Sequence, residues 1–395
     1  MVITIGLFYG GKSTDHEVSV ITGLQAYAAI DKEKYNVIPI YITKDNRFYI
    51  GDEIGKIEEY SDIPALLKKS RHITILNINN RVELYEIAKK IDTRKPIAAL
   101  DAALPCVHGT NVEDGALQGF FETLRLPYAG CDVLSSAVGM DKTVQKAILK
   151  QANIPVLDCV SFTAKQFMES QDIEFELPCI IKPVNLGSSI GIKIAETKEQ
   201  LTEAIEHALL FADRVMVERA ITSLKEINCS VLGDKDSAEA SECEEPVSTG
   251  GVLDFNDKYS GGKKSGKSGD GKSNSGGMAS LKRKIPADIS TEQREKIRTM
   301  AVEAFKALGC NGVARIDFLI DTESNEIYFN EINTIPGSLS FYLWEPVGMK
   351  YPQLLDKMLT LALKREREKS NLNFSFESNI LSNFKGGMGS KGSKT

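Results

Sequence analysis

The chain is poor in the residues that build zinc sites and disulfide frameworks. It has one Trp and four His in 395 residues, which argues against a His-rich metal site. Its seven Cys are dispersed without a Cys-x-x-Cys pair, which fits reduced thiols better than a stapled fold. No run approaches the roughly 20 apolar residues that span a bilayer, so no membrane partner is expected. Basic excess is also missing. The 48 Lys and Arg stand against 54 Asp and Glu, a net charge of −6, whereas nucleic-acid binders usually show the opposite balance. The opening Met1-Val2-Ile3-Thr4-Ile5 lacks a basic leader and runs into a Gly turn. It is expected to be a first strand rather than a signal peptide, and the protein is expected to be cytoplasmic.

What is present concentrates near residue 320. Arg315-Ile316-Asp317 and Glu331-Ile332-Asn333 read as two strand ends separated by a hairpin turn. Strand side chains alternate faces, so Arg315 shares a face with Asp317, and Glu331 shares one with Asn333. If the strands pair, three oxygen-bearing side chains and one guanidinium converge. Asp, Glu and Asn oxygens are hard ligands of the kind Mg²⁺ takes when it also holds a nucleotide phosphate.

Along the chain three units and a tail are expected. Residues 1–139 alternate strand and helix signals, with strands at 2–8, 35–42 and 98–107 and a helix over 113–124. The alternation predicts a mostly parallel sheet covered by helices. Residues 51–90 look polar and poorly patterned, like a variable insert. A small α+β unit follows over 140–225. It opens with a helix marked by Val144, Ala147 and Ile148, and has strands near 179–182, 190–194 and 215–218. A third unit covers 226–370. Its helix starts on a capping box, Ser290 to Gln293, ends at Gly309, and buries Ala301, Ala304, Phe305 and Leu308. Within it, residues 261–277 hold seven Gly, four Ser and four Lys, a composition that buries no core and is expected to form part of a mobile lid over 254–286. The tail, 371–395, is expected to be largely disordered.

Several stretches carry chemistry. Gly6-x4-Gly11-Lys12-Ser13 matches the phosphate-loop pattern, yet Gly6 falls inside an apolar strand and Leu7-Phe8-Tyr9 are bulky for a loop that wraps phosphate. A P-loop NTPase using Lys12 is one alternative; a turn that presents Asp15-His16-Glu17 to a substrate is another. Lys182-Pro183 followed by Gly187-Ser188-Ser189 is more specific: a strand delivers a Lys, and a Gly/Ser turn exposes N–H groups that can close over phosphates. Lys142 is a second candidate phosphate cation. Glu218 and Ile221 mark a strand leaving into a hinge, where free backbone groups can pair with an adenine edge, and Glu226 could hold ribose hydroxyls. His108-Gly109, with Glu113-Asp114-Gly115, follows a strand, where ligands bind in open α/β sheets. Glu113 and Asp114 also suit the first turn of a helix.

These motifs, with Gly10-Gly11 to Ser19, Leu126-Pro127-Tyr128, Met140-Asp141-Lys142, Lys258-Tyr259 and Pro336-Gly337, occur in the order found in D-alanine–D-alanine ligases, of the ATP-grasp superfamily. The resemblance covers roughly residues 1–365. It implies an ATP-grasp fold behind an N-terminal α/β domain, with ATP between the central and C-terminal units. Lys142, Lys182, Ser188, Ser189 and Lys258 would serve the phosphates, Glu218 and Ile221 the adenine, and Glu226 the ribose. Asp317, Glu331 and Asn333 would carry two Mg²⁺, with Mn²⁺ able to substitute. Asp15, Ser188 and Tyr259 would position the first D-alanine. His108, Arg315 and Gly337 would serve the second amino acid and the tetrahedral intermediate. A homodimer is implied by analogy alone.

Departures from the family pattern sharpen the expectations. Position 15 is Asp where the family usually has Glu, about 1.5 Å less reach. Ser338-Leu339-Ser340-Phe341-Tyr342 replaces the usual stretch after Pro336-Gly337, and Tyr342 could supply the hydroxyl for the second substrate's carboxylate. Tyr259, where D-lactate-using relatives usually have His, favours an amine as second substrate. A related ligase using D-serine and a non-catalytic nucleotide binder complete the alternatives.

Overall fold

The computed structural model describes residues 2–87, 95–169, 174–187, 190–247 and 283–372. They form three sheets. The first has seven strands in the order β6-β5-β4-β3-β2-β1-β7: β1 Ile3–Gly10, β2 Tyr35–Ile42, β3 Phe48–Ile50, β4 Arg71–Ile78, β5 Arg81–Glu86, β6 Ala98–Leu100 and β7 Ala102–Pro105. Helices α1 His16–Ala29, α2 Ile63–Lys69 and α3 Ala116–Leu124 accompany it, and α4 Val133–Met140 and α5 Lys142–Gln151 lead out of it.

Only β2–β1 and β1–β7 are parallel. The other half of the sheet is an antiparallel meander. Residues 51–90 are therefore not an insert apart from the sheet, because β4 and β5 extend it. Their signal is a hairpin: Ile73, Ile75, Val82 and Leu84 alternate inward, and Asn79-Asn80 turn the chain with φ of 52° and 62°. The strand expected over 98–107 splits in two, one part pairing with β5 and the other with β1. Helix α3 starts at Ala116, later than expected, because Gly115 takes a φ of +97° and the Asp114 carboxylate accepts from the Ala116 N–H.

The second sheet has the order β10-β9-β11-β8, from β8 Cys159–Thr163, β9 Cys179–Pro183, β10 Lys193–Ala195 and β11 Arg214–Arg219, with α6 Ala164–Glu169 and α7 Lys198–Ala208. The third has the order β14-β13-β12-β15-β16, from β12 Leu224–Gly233, β13 Ala238–Pro246, β14 Arg283–Lys284, β15 Gly312–Asp321 and β16 Glu326–Asn333. Helix α8, Thr291–Ala307, carries both capping-box hydrogen bonds between Ser290 and Gln293, and buries Ala301, Ala304, Phe305 and the following Leu308. The final helix α9, Tyr351–Ser370, returns to the first sheet. Its Leu354, Leu355, Met358 and Leu359 share a core with β1, β2 and Trp344. Among the described residues no helix is long and apolar enough to cross a membrane. The Gly/Ser/Lys run and nearly all of the expected lid and tail lie outside the described residues.

Candidate active site

Strand register assembles the oxygen-rich patch. Across β15 and β16, Arg315 lies opposite Asn333 and Asp317 opposite Glu331. On its other side Asp317 faces Asn228, which in turn faces Glu244. One polar row thus crosses four strands. Arg315 Nε and Nη2 donate to the two Asp317 carboxylate oxygens, each at 2.7 Å, and Asn333 Nδ2 donates to Asp317 Oδ2 at 3.2 Å. Burial works against the Arg315 charge, but Asp317 more than offsets it and holds the guanidinium pKa above its usual range.

The donor set suits a hard cation. Opposed residues of an antiparallel pair bring their Cβ atoms within about 4.5–5.5 Å. Asp317 and Glu331 keep 14% and 22% of their side chains exposed, so their oxygens remain reachable from the cleft. Among the described residues no group of three or more His, Cys, Asp or Glu is placed to hold a metal. Two carboxylates and an amide match an ion that keeps water and phosphate oxygens as its remaining ligands, as Mg²⁺ does.

A cleft open to solvent lies between the second and third sheets. Lys142, Lys182, Glu218, Ile221, Glu226, Asp317 and Glu331 all line it. Lys142 begins α5 beneath the Asp141 cap, its Nζ donating to Leu186 O at 2.6 Å and lying 3.5 Å from Glu331 Oε2. Lys182 reaches from β9 to Glu218 Oε1 and to Asn330 Oδ1 at 3.1 Å. Glu218 is fully buried, and its other oxygen lies 2.8 Å from Lys146 Nζ. Burial alone would raise the Glu218 carboxyl, but the two lysines hold it down at about 2. Arg219 ends β11, and Ile221, two residues on, lines the cleft where the chain leaves the sheet.

A second cluster joins the first sheet to the residues after β16. His108 is buried, its Nδ1 2.7 Å from Ile335 O and its Nε2 2.8 Å from Thr22 Oγ1, which accepts from the Ser338 N–H at 3.0 Å. Burial lowers the His108 pKa to about 4, so the ring is neutral near pH 7, donating to Ile335 and accepting from Thr22. Glu113 takes the other side of the same residue: Oε1 accepts from Ile335 N at 2.9 Å and from Thr334 Oγ1 at 3.3 Å, while Oε2 accepts from Gly109 N at 3.0 Å. Asp15 is buried beside Gly109, where an added Cβ would stand 2.9 Å from its Oδ2, and Gly109 also has a φ of +84°. Gly337 follows the clamped Ile335. Ser338, Leu339 and Ser340 then take left-handed φ values of 55°, 49° and 49°, strained for non-glycine residues. The buried Ser338 and Ser340 hydroxyls have no hydrogen-bond partner among the described residues.

Three expectations shift. The Gly6–Ser13 segment is not a phosphate loop: Gly6 lies within β1, Gly11 N donates to Ile42 O, and Lys12 is exposed. Of Asp15-His16-Glu17, only Asp15 turns toward Gly109, while His16 packs on Tyr41 and Glu17 pairs with Lys44. Tyr342 is buried with its hydroxyl directed at Glu244 Oε1, 3.4 Å away, under the Arg283 guanidinium 3.9 Å above its ring. Arg283 Nη1 donates to Glu244 Oε2 at 2.6 Å. The hydroxyl thus faces a carboxylate of the protein. Ser188, Ser189, Lys258 and Tyr259 lie outside the described residues.

Sequence reasoning missed Lys146, Glu244 and Arg283, and took Glu113 for a helix residue. The helix marked by Val144, Ala147 and Ile148 is α5, but its buried residues are Lys142, Gln145, Lys146 and Leu149, and Val144 is exposed. The available signal was spacing, since Lys142 and Lys146 are one turn apart.

A cation-lined cleft between two antiparallel sheets, with an acidic patch on one wall, defines the ATP-grasp architecture. The family model described as D-ala D-ala ligase N-terminus matches residues 4–131, and the C-terminus model matches 148–360. The chain belongs to the D-alanine–D-alanine ligase family. It is 38% identical over 382 residues to a D-alanine–D-alanine ligase of Thermosipho melanesiensis, covering 96% of this chain and 98% of that one. The solved D-alanine–D-alanine ligase of Coxiella burnetii aligns with a TM-score of 0.74 at 30% identity, covering 93% and 96% of the two chains. The D-Ala:D-Ser ligase of Enterococcus faecalis aligns at 0.72 and 31% identity, covering 92% and 100%.

Proposed function

We propose that the protein is an ATP-dependent ligase that joins two D-alanines into D-alanyl-D-alanine, a peptidoglycan precursor, in the bacterial cytoplasm. One observation carries the reading: Asp317 and Glu331 face each other on one wall of a cleft into which Lys142 and Lys182 also reach, and Asn333 Nδ2 donates to Asp317 beside them. The working units are taken as 1–139, 140–225 and 226–370, and the assembly as a homodimer by family analogy.

In this reading ATP lies in the cleft, with its adenine against Ile221 and Glu218 and its ribose near Glu226. Lys142 and Lys182 orient the phosphates and reduce their repulsion of an attacking carboxylate. Asp317, Glu331 and Asn333 hold Mg²⁺, which when bound supplies charge neutralisation at the phosphate oxygens. The carboxylate of the first D-alanine, positioned from the Asp15 side with Ser188 and Tyr259, attacks the γ-phosphorus and ADP departs. The amine of the second D-alanine then attacks the acyl phosphate carbon, and phosphate leaves. Arg315 and the Gly337 N–H face the oxyanion of that step. The Ser338 and Ser340 hydroxyls, rather than Tyr342, are the donors offered to the second carboxylate. His108 and Glu113 act through Ile335 by fixing the peptide that precedes Pro336-Gly337. Residues 254–286, with Lys258, exclude water from the acyl phosphate.

The test is phosphate release from ATP and Mg²⁺ with D-alanine alone, then with D-serine or D-lactate added, with products weighed by mass spectrometry. Release with D-alanine alone, yielding the dipeptide, is expected. Turnover only in a D-serine mixture would replace the second substrate, and ATP binding without turnover on any amino acid would overturn the ligase reading.

A further inference from the structure

Lys146 lies one helical turn beyond Lys142 on the buried face of α5, with 4% of its side chain exposed. It is absent from the lining of the cleft, whereas Lys142, Lys182 and Glu218 are part of it. It stands behind the carboxylate. Glu218 Oε1 takes Lys182 from the cleft side, and Oε2 takes Lys146 at 2.8 Å from the helix side. Lys146 Nζ also donates to Leu157 O at 3.3 Å, which ties it to the segment leading into β8.

The charge count matters. Lys182 and Glu218 alone form a neutral pair that offers little to an anion. With Lys146 the buried cluster carries one net positive charge. Movement matters as well. For Lys182 to donate to a phosphate it must loosen its bond to Glu218. A fully buried carboxylate left without a cation is strongly disfavoured, which would pull Lys182 back. A second lysine on the far oxygen removes that penalty.

We propose that Lys146 is a positioning residue of the nucleotide site, which keeps Glu218 charge-compensated while Lys182 transfers from that carboxylate to the nucleotide phosphates. The inference rests on the ATP reading of the cleft. Glu218 meets Lys182 from β9, Lys146 from α5 and Cys159 across from it on β8, and Lys182 in turn feels Glu331 from β16 and Glu226 from β12. Loss of Lys146 leaves one cation of two on the carboxylate. Its pKa then rises from the acid end toward the range of assay pH.

The experiment compares the full chain with Lys146→Met, Lys146→Gln and Lys146→Arg, using ATP binding by calorimetry and steady-state kinetics from pH 5.5 to 8. For Met and Gln the KM for ATP is expected to rise about tenfold or more, by analogy with other residues that orient a site from behind. The change in kcat is expected to be much smaller. Their kcat/KM for ATP is also expected to fall toward pH 5.5 more steeply than that of the wild type, and Arg is expected to restore both. A merely structural brace would lower the melting temperature of the variants and leave the KM for ATP and the pH profile as in the wild type. That result overturns the proposal. Lys146→Gln decides the matter if Lys146→Met does not fold. If the wild type itself fails to bind ATP, the reading of the cleft falls first. If the wild type binds and the variants bind equally well, only the role of Lys146 falls.

Discussion

Glu218 in the cleft and Glu113 at the junction with the first sheet are both buried carboxylates, yet they sit in opposite electrostatic states. Glu218 is held at about 2 by two lysines despite its burial. Glu113 meets two backbone N–H groups and one hydroxyl, and burial lifts it to about 7. Neutral donors satisfy an oxygen's hydrogen-bonding demand but do not replace the solvation of its charge, whereas cations can. The cleft therefore keeps fixed charge, suited to handling phosphate. The junction keeps a precise but softer geometry, suited to holding the peptide at Ile335.

Removing one charge from the cleft tests that contrast most severely. Glu218→Gln leaves Lys182 and Lys146 buried without their counter-charge and is expected to cost about 3–5 kcal/mol in chemical denaturation. An unchanged midpoint would mean that solvent already screens the pair. Next comes Asp317→Asn, expected to lower kcat by at least about 100-fold, the scale of losing one preorganised electrostatic group. Because Asp317 also balances the buried Arg315 charge, the same variant should melt at a lower temperature, and kcat is compared where both proteins remain folded.

At the junction the effect is smaller and depends on pH. Because the Glu113 pKa is raised in the folded state, the native protein binds the extra proton between about pH 4.5 and pH 7. Its stabilising contribution is full below that window and is lost as pH rises through it. Urea melts at pH 5 and pH 7.5 should therefore show wild-type stability falling relative to Glu113→Gln, which cannot titrate. A constant difference between the two would place charged Glu113 in the native state at both values. The smallest effect is expected for Lys12→Ala, within about 0.5 kcal/mol and without change in turnover, because that side chain is exposed and belongs to neither cluster. Loss of ATP binding there would revive the phosphate-loop alternative.

The strands at 35–42 and 215–218, the capping box at Ser290 and the pairing of Arg315–Asp317 with Glu331–Asn333 were legible because each rests on a local rule. That rule is period two along a strand, or one side chain reaching the N–H of a residue three positions on. The hairpin of β4 and β5 was equally local, and its Asn79-Asn80 turn was overlooked among polar neighbours. The helix α5 was legible from Val144, Ala147 and Ile148, but its buried face was not. Apolar residues at helical spacing normally mark the core, but here Glu218, 72 positions later, compensates Lys146 and makes the charged face the buried one.

By itself, then, the sequence determined the strand faces, the donor chemistry near residue 320 and the family pattern that orders the motifs. Only the tertiary structure decided which partner each charge received. Backbone geometry repeats every two or 3.6 residues and leaves a period in the sequence. The contacts of Glu218 with Lys146, Glu113 with Ile335, and Arg283 with Tyr342 and Glu244 join segments whose separation follows no period. They form only when the sheets close on one another, and burial then sets whether each group keeps its charge.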